Sequence, residues 1–363
     1  SLVGSEMCIR DRSESGVHPL RVHELIQTAE LETLLNQSLA YTQTNGTLSL
    51  RERVAAIYDG ADTANILITN GGSEANFVVC WHLITPGDEI VVVQPTYMQV
   101  PELARSFGET VHAVWLEAIP TGWRLDLEAV RAAVTPRTRF IAMCNPNNPT
   151  GARLDNTVVT GLCSIAAEYG CWLLADEVYR GAELDGIETP TFWGRYDKVV
   201  VTSGMSKAFG LPGLRIGWTI VPENLREQLW ARKDYTTIAM GSLSDVLAMH
   251  ALQPTARQRI HTRTRGILNA NLPILENWLR ERDDIFTWKQ PQAGAIVYAR
   301  YDLPVGGLQL AEAMRTEADC LIVPGDHFDM PNYVRLGFGP SPERLRRALA
   351  RCADVLDSLC VDA

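Results

Sequence analysis

No apolar run in this 363-residue chain approaches the ~18 residues that a membrane helix needs, and none reads as a span. There is no CxxC pair and no cysteine–histidine cluster at zinc-ligand spacing. The eight cysteines are scattered, and Cys144 and Cys171 fall inside apolar runs where they read as small buried hydrophobes. That pattern points away from a structural metal and toward a reducing compartment, the cytoplasm. An excess of positive charge is also missing: 33 basic residues against 43 acidic ones give a net charge of -10 and a pI near 5.3. A nucleic acid or an anionic membrane would need a basic footprint, so neither is expected as a partner. Internal repeats and low-complexity tracts are absent too. What remains, 46% hydrophobic and 21% charged, is the composition of a globular enzyme, long enough for one large and one smaller domain.

The first dozen residues, SLVGSEMCIRDR, fit no element that follows and lack the basic and apolar regions of a targeting peptide. They resemble a translated sequencing adapter, so residues 1–12 are left out of fold reasoning and a natural N-terminal arm is expected to be missing. Residues 13–40 read as an N-terminal segment, 41–253 as a large domain and 254–363 as a small one. Strands are predicted at Ile66–Thr69, Ile90–Gln94, Val111–Leu116, Phe140–Cys144, Cys171–Ala175, Val199–Thr202 and Ile216–Val221, with helices filling most gaps. Such alternation predicts an α/β fold with a mostly parallel seven-stranded sheet and helices on both faces. Beyond Gln253 the rhythm changes to an Arg-rich helical segment, interrupted at Pro273, then strands at Ala295–Arg300, Leu321–Val323 and Tyr333–Phe338 and a closing amphipathic helix. This half reads as a smaller α+β unit.

Polar residues collect in loops at the ends of the predicted strands, where ligands of open α/β sheets bind. After Val199–Thr202 a single lysine, Lys207, enters a loop of small residues, followed by Arg215. The lysine is either a solvated loop residue or a desolvated amine ready to condense with an aldehyde. Thr69-Asn70-Gly71-Gly72-Ser73-Glu74 runs from strand into helix, which suits either an anion cup or a plain cap by Ser73. Asn145-Pro146-Asn147-Asn148-Pro149-Thr150-Gly151 either presents Asn148 rigidly or is an Asx-rich turn. Asp176-Glu177-Val178-Tyr179 places a carboxylate at the end of a buried strand, which is costly without a cation unless Asp176 caps a helix.

Taken in order, the segments NPNNPTG, ADEVY and SKAFGLPGLRIGW resemble those of fold-type I, class I/II aminotransferases over Ser13 to about Leu359. The resemblance implies pyridoxal phosphate as cofactor and a role for each matching residue. Lys207 would link to the cofactor aldehyde and shuttle the proton. Asp176 would hold the pyridinium proton, with Tyr179 and Asn148 facing the phenolic oxygen and Tyr97 stacked on the ring. Gly72, Ser73, Glu74, Ser206 and Arg215 match the phosphate site. Tyr41 matches a tyrosine that reaches the neighbouring subunit's phosphate, which implies a homodimer with shared sites. Arg335 matches the clamp for the substrate α-carboxylate, with Asn148 and His18 nearby.

Two departures stand out. Gly204 replaces a serine that many relatives carry three residues before the lysine, which removes one phosphate donor. The segment Ser15-Gly16-Val17-His18, with Lys233–Thr236 and Val323–Gly325, looks similar to the capreomycidine-synthase branch, which uses the same cofactor for replacement and cyclisation. The expected activity is transfer of an amino group between an L-amino acid and a 2-oxo acid; the alternative is a lyase, replacement enzyme or cyclase of that branch. A ligand-sensing regulator would need an attached DNA-binding segment, and an inactive homologue would be expected to lose the lysine or the ring aspartate.

Overall fold

The computed structural model describes residues 14–26 and 28–361, so the adapter-like residues 1–12 lie outside it. In chain order the strands are β1 (Ile66–Thr69), β2 (Glu89–Gln94), β3 (Thr110–Trp115), β4 (Glu117–Ile119), β5 (Gly122–Arg124), β6 (Thr138–Cys144), β7 (Trp172–Asp176), β8 (Val199–Gly204) and β9 (Gly217–Ile220). They continue with β10 (Phe286–Trp288), β11 (Ile296–Tyr301), β12 (Val323–Pro324) and β13 (Tyr333–Gly337). Seven of them form the central sheet in the order β1-β9-β8-β7-β6-β2-β3. Its neighbours pair in parallel except around β9, which runs antiparallel to both β1 and β8.

The inner strands are apolar without alternation because both faces are covered. Successive residues feed opposite sides: Val91, Val93, Ile141 and Leu173 pack in one core cluster, Ile90, Val92, Phe140 and Leu174 in the other. Crossover helices start and stop on local chemistry. Asp155 accepts a hydrogen bond from the Val158 N–H at 2.9 Å to begin helix Asn156–Tyr169, and Gly170, left-handed at φ 68°, ends it. The chain thereby returns β6 to β7 in parallel and leaves both carboxyl ends on the same edge.

A second, antiparallel sheet runs β10-β11-β13-β12. Strand β10 and the β4–β5 hairpin escape the sequence reading because three residues are too few for alternation to register. The expected interruption at Pro273 is not found: one helix runs from Pro254 to Arg280 straight through it. An interior proline removes a backbone hydrogen bond and costs about 3 kcal/mol. Here both halves are anchored, with Leu268, Leu272, Leu275 and Leu279 buried and Asn271 Nδ2 donating to the carbonyls of Phe338 and Pro340 at 2.7 and 2.6 Å.

The N-terminal segment ties the two sheets together. The His18 N–H donates to the Gly339 carbonyl at 2.9 Å, just past β13, and the Leu20 N–H to Gly210 at 3.2 Å, just past Lys207. Arg263 grips the His18 carbonyl at 3.0 Å, and Val17 is buried. Among the described residues no helix is long and apolar enough to cross a membrane.

Candidate active site

The carboxyl ends of β1, β6, β7 and β8 surround a cavity of about 300 Å³. Gly72, Ser73, Ser206 and Arg215 line one end of it. Helix Gly72–Leu83 begins here, so N–H groups that its own backbone does not use stand at the cavity wall. Close backbone approach builds this end. A Cβ on Gly217 would sit 2.3 Å from the Gly71 carbonyl carbon, and one on Gly71, left-handed at φ 80°, would sit 2.2 Å from Arg215 Nη2. Gly217 meets backbone and admits no side chain, the positive φ of Gly71 makes any substitution there strained, and the guanidinium lies against the turn. Arg215 itself is left-handed at φ 52°, and its Nη1 donates to the Pro212 carbonyl at 3.2 Å.

The cap of this helix is Gly71 rather than Ser73, so the serine hydroxyl is not consumed by capping. Glu74, expected among the phosphate residues, turns its carboxylate away from the cavity. Its Oε1 accepts from the hydroxyls of Thr236 and Thr237 and its Oε2 from the Asn70 N–H. Only its position in the first helical turn suits anion binding. The missing serine at position 204 has a steric reason as well: a Cβ on Gly204 would lie 3.0 Å from the Ile216 carbonyl oxygen and 3.2 Å from Gly217 Cα.

At the other end stands Asp176, the last residue of β7. Its Oδ2 accepts from Asn76 Nδ2 at 3.1 Å and its Oδ1 from the Val178 N–H at 3.0 Å. No helix follows, which removes the capping alternative. Burial pushes the Asp176 carboxyl above its ordinary range, against the opposing pull of Asn76, the Val178 N–H and Lys207. Asn76 escaped the sequence reading. Its Oδ1 accepts from the Thr202 hydroxyl at 2.7 Å, which fixes its amide to donate toward Asp176. The available signal was a buried asparagine inside an otherwise apolar helical stretch.

Lys207 lines the same cavity, and its Nζ donates to Glu14 Oε1 at 2.6 Å. Of the four lysines in the chain, Lys198 is bonded to the Gly170 carbonyl and Lys233 to those of Thr44 and Ile238. Lys207 is the one lysine among the described cavity-lining residues.

In the loop after β6 the asparagines divide their tasks. Asn145 Oδ1 accepts from the Leu154 N–H and Asn147 Oδ1 from Thr150, which shapes the turn. Asn148 faces the cavity, and its Oδ1 accepts from Arg335 Nη1 at 2.7 Å. Arg335, on β13, is buried beside Phe328, whose ring centre lies 5.6 Å from the guanidinium carbon. Tyr179 is buried, donates its hydroxyl to Ser15 Oγ at 2.6 Å, and lines the cavity with the half-exposed Tyr97.

Two expected residues are not brought in. His18 does not line the cavity; its Nδ1 lies 3.2 Å from the Gly339 carbonyl, and its backbone is tied to Gly339 and Arg263. Tyr41 is 84% exposed and outside this chain's cavity. Among the described residues no group of three potential ligands could hold a metal ion.

The family model for "Aminotransferase class I and II" matches residues 15–352. A capreomycidine synthase of Streptomyces vinaceus is 30% identical over 361 residues, covering 95% of this chain and 89% of that protein. An aspartate/prephenate aminotransferase of Thermus thermophilus is 28% identical, covering 92% and 87%. The crystal structure of a PLP-dependent aminotransferase from Streptococcus suis superposes with a TM-score of 0.89 at 32% identity, over 97% of this chain and 94% of that one.

Beneath Asp176, Glu177 is fully buried, accepting from the Thr191 hydroxyl and the Phe192 N–H at 2.8 Å each. Burial lifts its carboxyl from 4.5 to about 7 against the pull of Arg180. The folded protein therefore holds this proton more tightly than the unfolded chain does. The stabilisation is complete below pH 4.5 and is lost as pH rises through about 7. Urea unfolding at pH 5 and pH 8 should show a loss on the order of 2 kcal/mol in the wild type that Glu177→Gln lacks. Equal pH dependence in both proteins would contradict a protonated Glu177.

Proposed function

The chain belongs to the class I and II aminotransferases, pyridoxal-phosphate enzymes of fold type I, and on that premise we propose how its residues share the transfer of an amino group from an L-amino acid to a 2-oxo acid. The residues present fit the cofactor. An anion end, a buried carboxylate and a lysine share one cavity, and steric closeness keeps the anion end to glycine backbone, serine hydroxyls and a guanidinium. Bound there, the cofactor supplies an electron sink beside the substrate Cα–H bond.

In this reading Arg215, Ser206, Ser73 and Gly72 hold the phosphate, with Glu74 contributing its place in the helix rather than its carboxylate. Asp176 would hold the ring nitrogen in its protonated form, a cation that would offset the cost of burying the carboxylate. Tyr97 would support the ring. Asn148 gives its oxygen to Arg335, which leaves its amide Nδ2 as a donor toward the phenolic oxygen, beside the Tyr179 hydroxyl. Arg335 orients the substrate carboxylate as a two-pronged donor, and the bond to Asn148 fixes the plane of its fork. Lys207 would hold the cofactor through its amine and would be the base that takes and returns the proton beside the substrate Cα. The observation that carries this reading is Lys207 and Asp176 in one cavity with the glycine-walled helix start.

Given an amino donor alone, the loaded enzyme should accumulate pyridoxamine phosphate, measured by absorbance and chromatography of the released cofactor. A cofactor that returns to the pyridoxal form after every turnover indicates replacement or cyclisation instead. In the same assay Arg335→Lys trades two parallel donors for one mobile charge and loses about 1.5 to 3 kcal/mol. The expected fall in kcat/KM for the amino acid is roughly 10- to 150-fold, with little change for an amine lacking a carboxylate. An equal loss for both would falsify the clamp.

We further infer a cytoplasmic homodimer in which Tyr41 serves the partner's phosphate. Tyr41 is exposed in a single chain, and Leu35, Leu39 and Tyr235 are each more than 75% exposed, apolar surface that a second copy would cover. Mixing a Tyr41→Phe chain with a Lys207→Ala chain creates heterodimers with one site holding both residues and one holding neither. Tighter cofactor retention in that heterodimer than in the Tyr41→Phe homodimer is the expected outcome. A monomer by sedimentation contradicts it.

A further inference from the structure

Among the described residues five charged side chains line the cavity, and the proposed function uses four of them: Asp176, Lys207, Arg215 and Arg335. The fifth is Glu14. Its Oε1 accepts from the N–H groups of Ser15 and Gly16 at 2.9 Å each, so its position does not depend on the third bond, from Lys207 Nζ at 2.6 Å. Partial burial raises the Glu14 carboxyl, but Lys207 and the two N–H groups outweigh that and hold it below its ordinary range, so it is ionised at neutral pH. The adjacent Ser15 accepts from Tyr179, which seats the segment against the cavity wall.

We propose that Glu14 selects the substrate side chain, favouring amino acids with a cationic group beyond Cα and disfavouring dicarboxylic ones. This rests on the functional reading above. Once Lys207 is engaged by the cofactor, Glu14 remains anchored by two backbone donors, its side chain 47% exposed at the cavity mouth, without its ammonium partner. Arg335, bonded to Asn148, fixes the substrate carboxylate, and the reacting Cα must lie close to Lys207 Nζ. The carboxylate 2.6 Å from that nitrogen is thus within one side chain's reach of Cα. A guanidinium or ammonium arriving there replaces the lost ion pair, whereas a second carboxylate meets like charge.

The test uses binding to the Lys207→Ala protein saturated with pyridoxal phosphate, a background that allows no turnover and leaves Glu14 without the lysine ammonium. Calorimetry with two probes of equal length, guanidinobutyrate and adipate, reads the preference directly. The background protein should bind guanidinobutyrate about 5- to 20-fold more tightly than adipate, the range expected for a partly exposed charge-assisted bond. Adding Glu14→Gln should bring the two within about twofold. Equal affinities in the background protein, or a preference unchanged by Glu14→Gln, would overturn the assignment. Because the probes bind without turnover, this result is independent of whether an amino donor converts the cofactor, so failure here and failure of the aminotransferase reading are told apart.

Discussion

A carboxylate buried at the end of a parallel strand is the constraint on which this site depends. Asp176 has Asn76 and one backbone N–H as partners, and burial still pushes its carboxyl upward. Two neutral donors do not match the stabilisation that a cation supplies to an ionised carboxylate in a low-dielectric interior. Neighbouring elements commit residues to holding it. Thr202 on β8 fixes the amide of Asn76, and Asn76 interrupts an otherwise apolar helix face to reach Asp176. In the proposed function a cationic ring nitrogen would complete the arrangement, and a protonated ring is what would make the cofactor an electron sink.

The scaffold then sets distance and direction. The central sheet carries the anion end just past β1, Asp176 at the end of β7 and Lys207 in the loop just past β8, which pairs with β7. Arg335 comes from the second sheet and meets Asn148 of the first across 2.7 Å. Movement of one sheet relative to the other would change the grip proposed for Arg335 without disturbing the residues proposed to hold the cofactor. The N-terminal segment joins both halves through Gly210 and Gly339 and places Glu14 and Ser15 in the wall.

Much of this was legible in the sequence for identifiable reasons. Continuous apolar runs marked the buried strands, and the cavity's Gly72, Ser73, Asn148, Asp176, Tyr179, Lys207 and Arg215 all lie at or close to strand ends. What was not legible depends on three-dimensional contact. The sequence does not say that Glu74 is claimed by Thr236 and Thr237, or that His18 turns toward Gly339. The crowding at Gly204 comes from Ile216 and Gly217 on the neighbouring strand. Pro273 carries a strong local signal for a break, and anchoring on both sides of it overrides that signal. Glu14 sat beside the segment that drew attention but had no partner until Lys207, 193 positions away, was placed against it.

The central claim is that Lys207 carries the cofactor. Borohydride reduction of the protein purified with pyridoxal phosphate, followed by proteolysis and peptide mapping, measures it directly. The account predicts a single pyridoxyl group on the peptide containing Lys207, with none on the Lys207→Ala protein. A label on Lys198 or Lys233, or one that survives in Lys207→Ala, would contradict it.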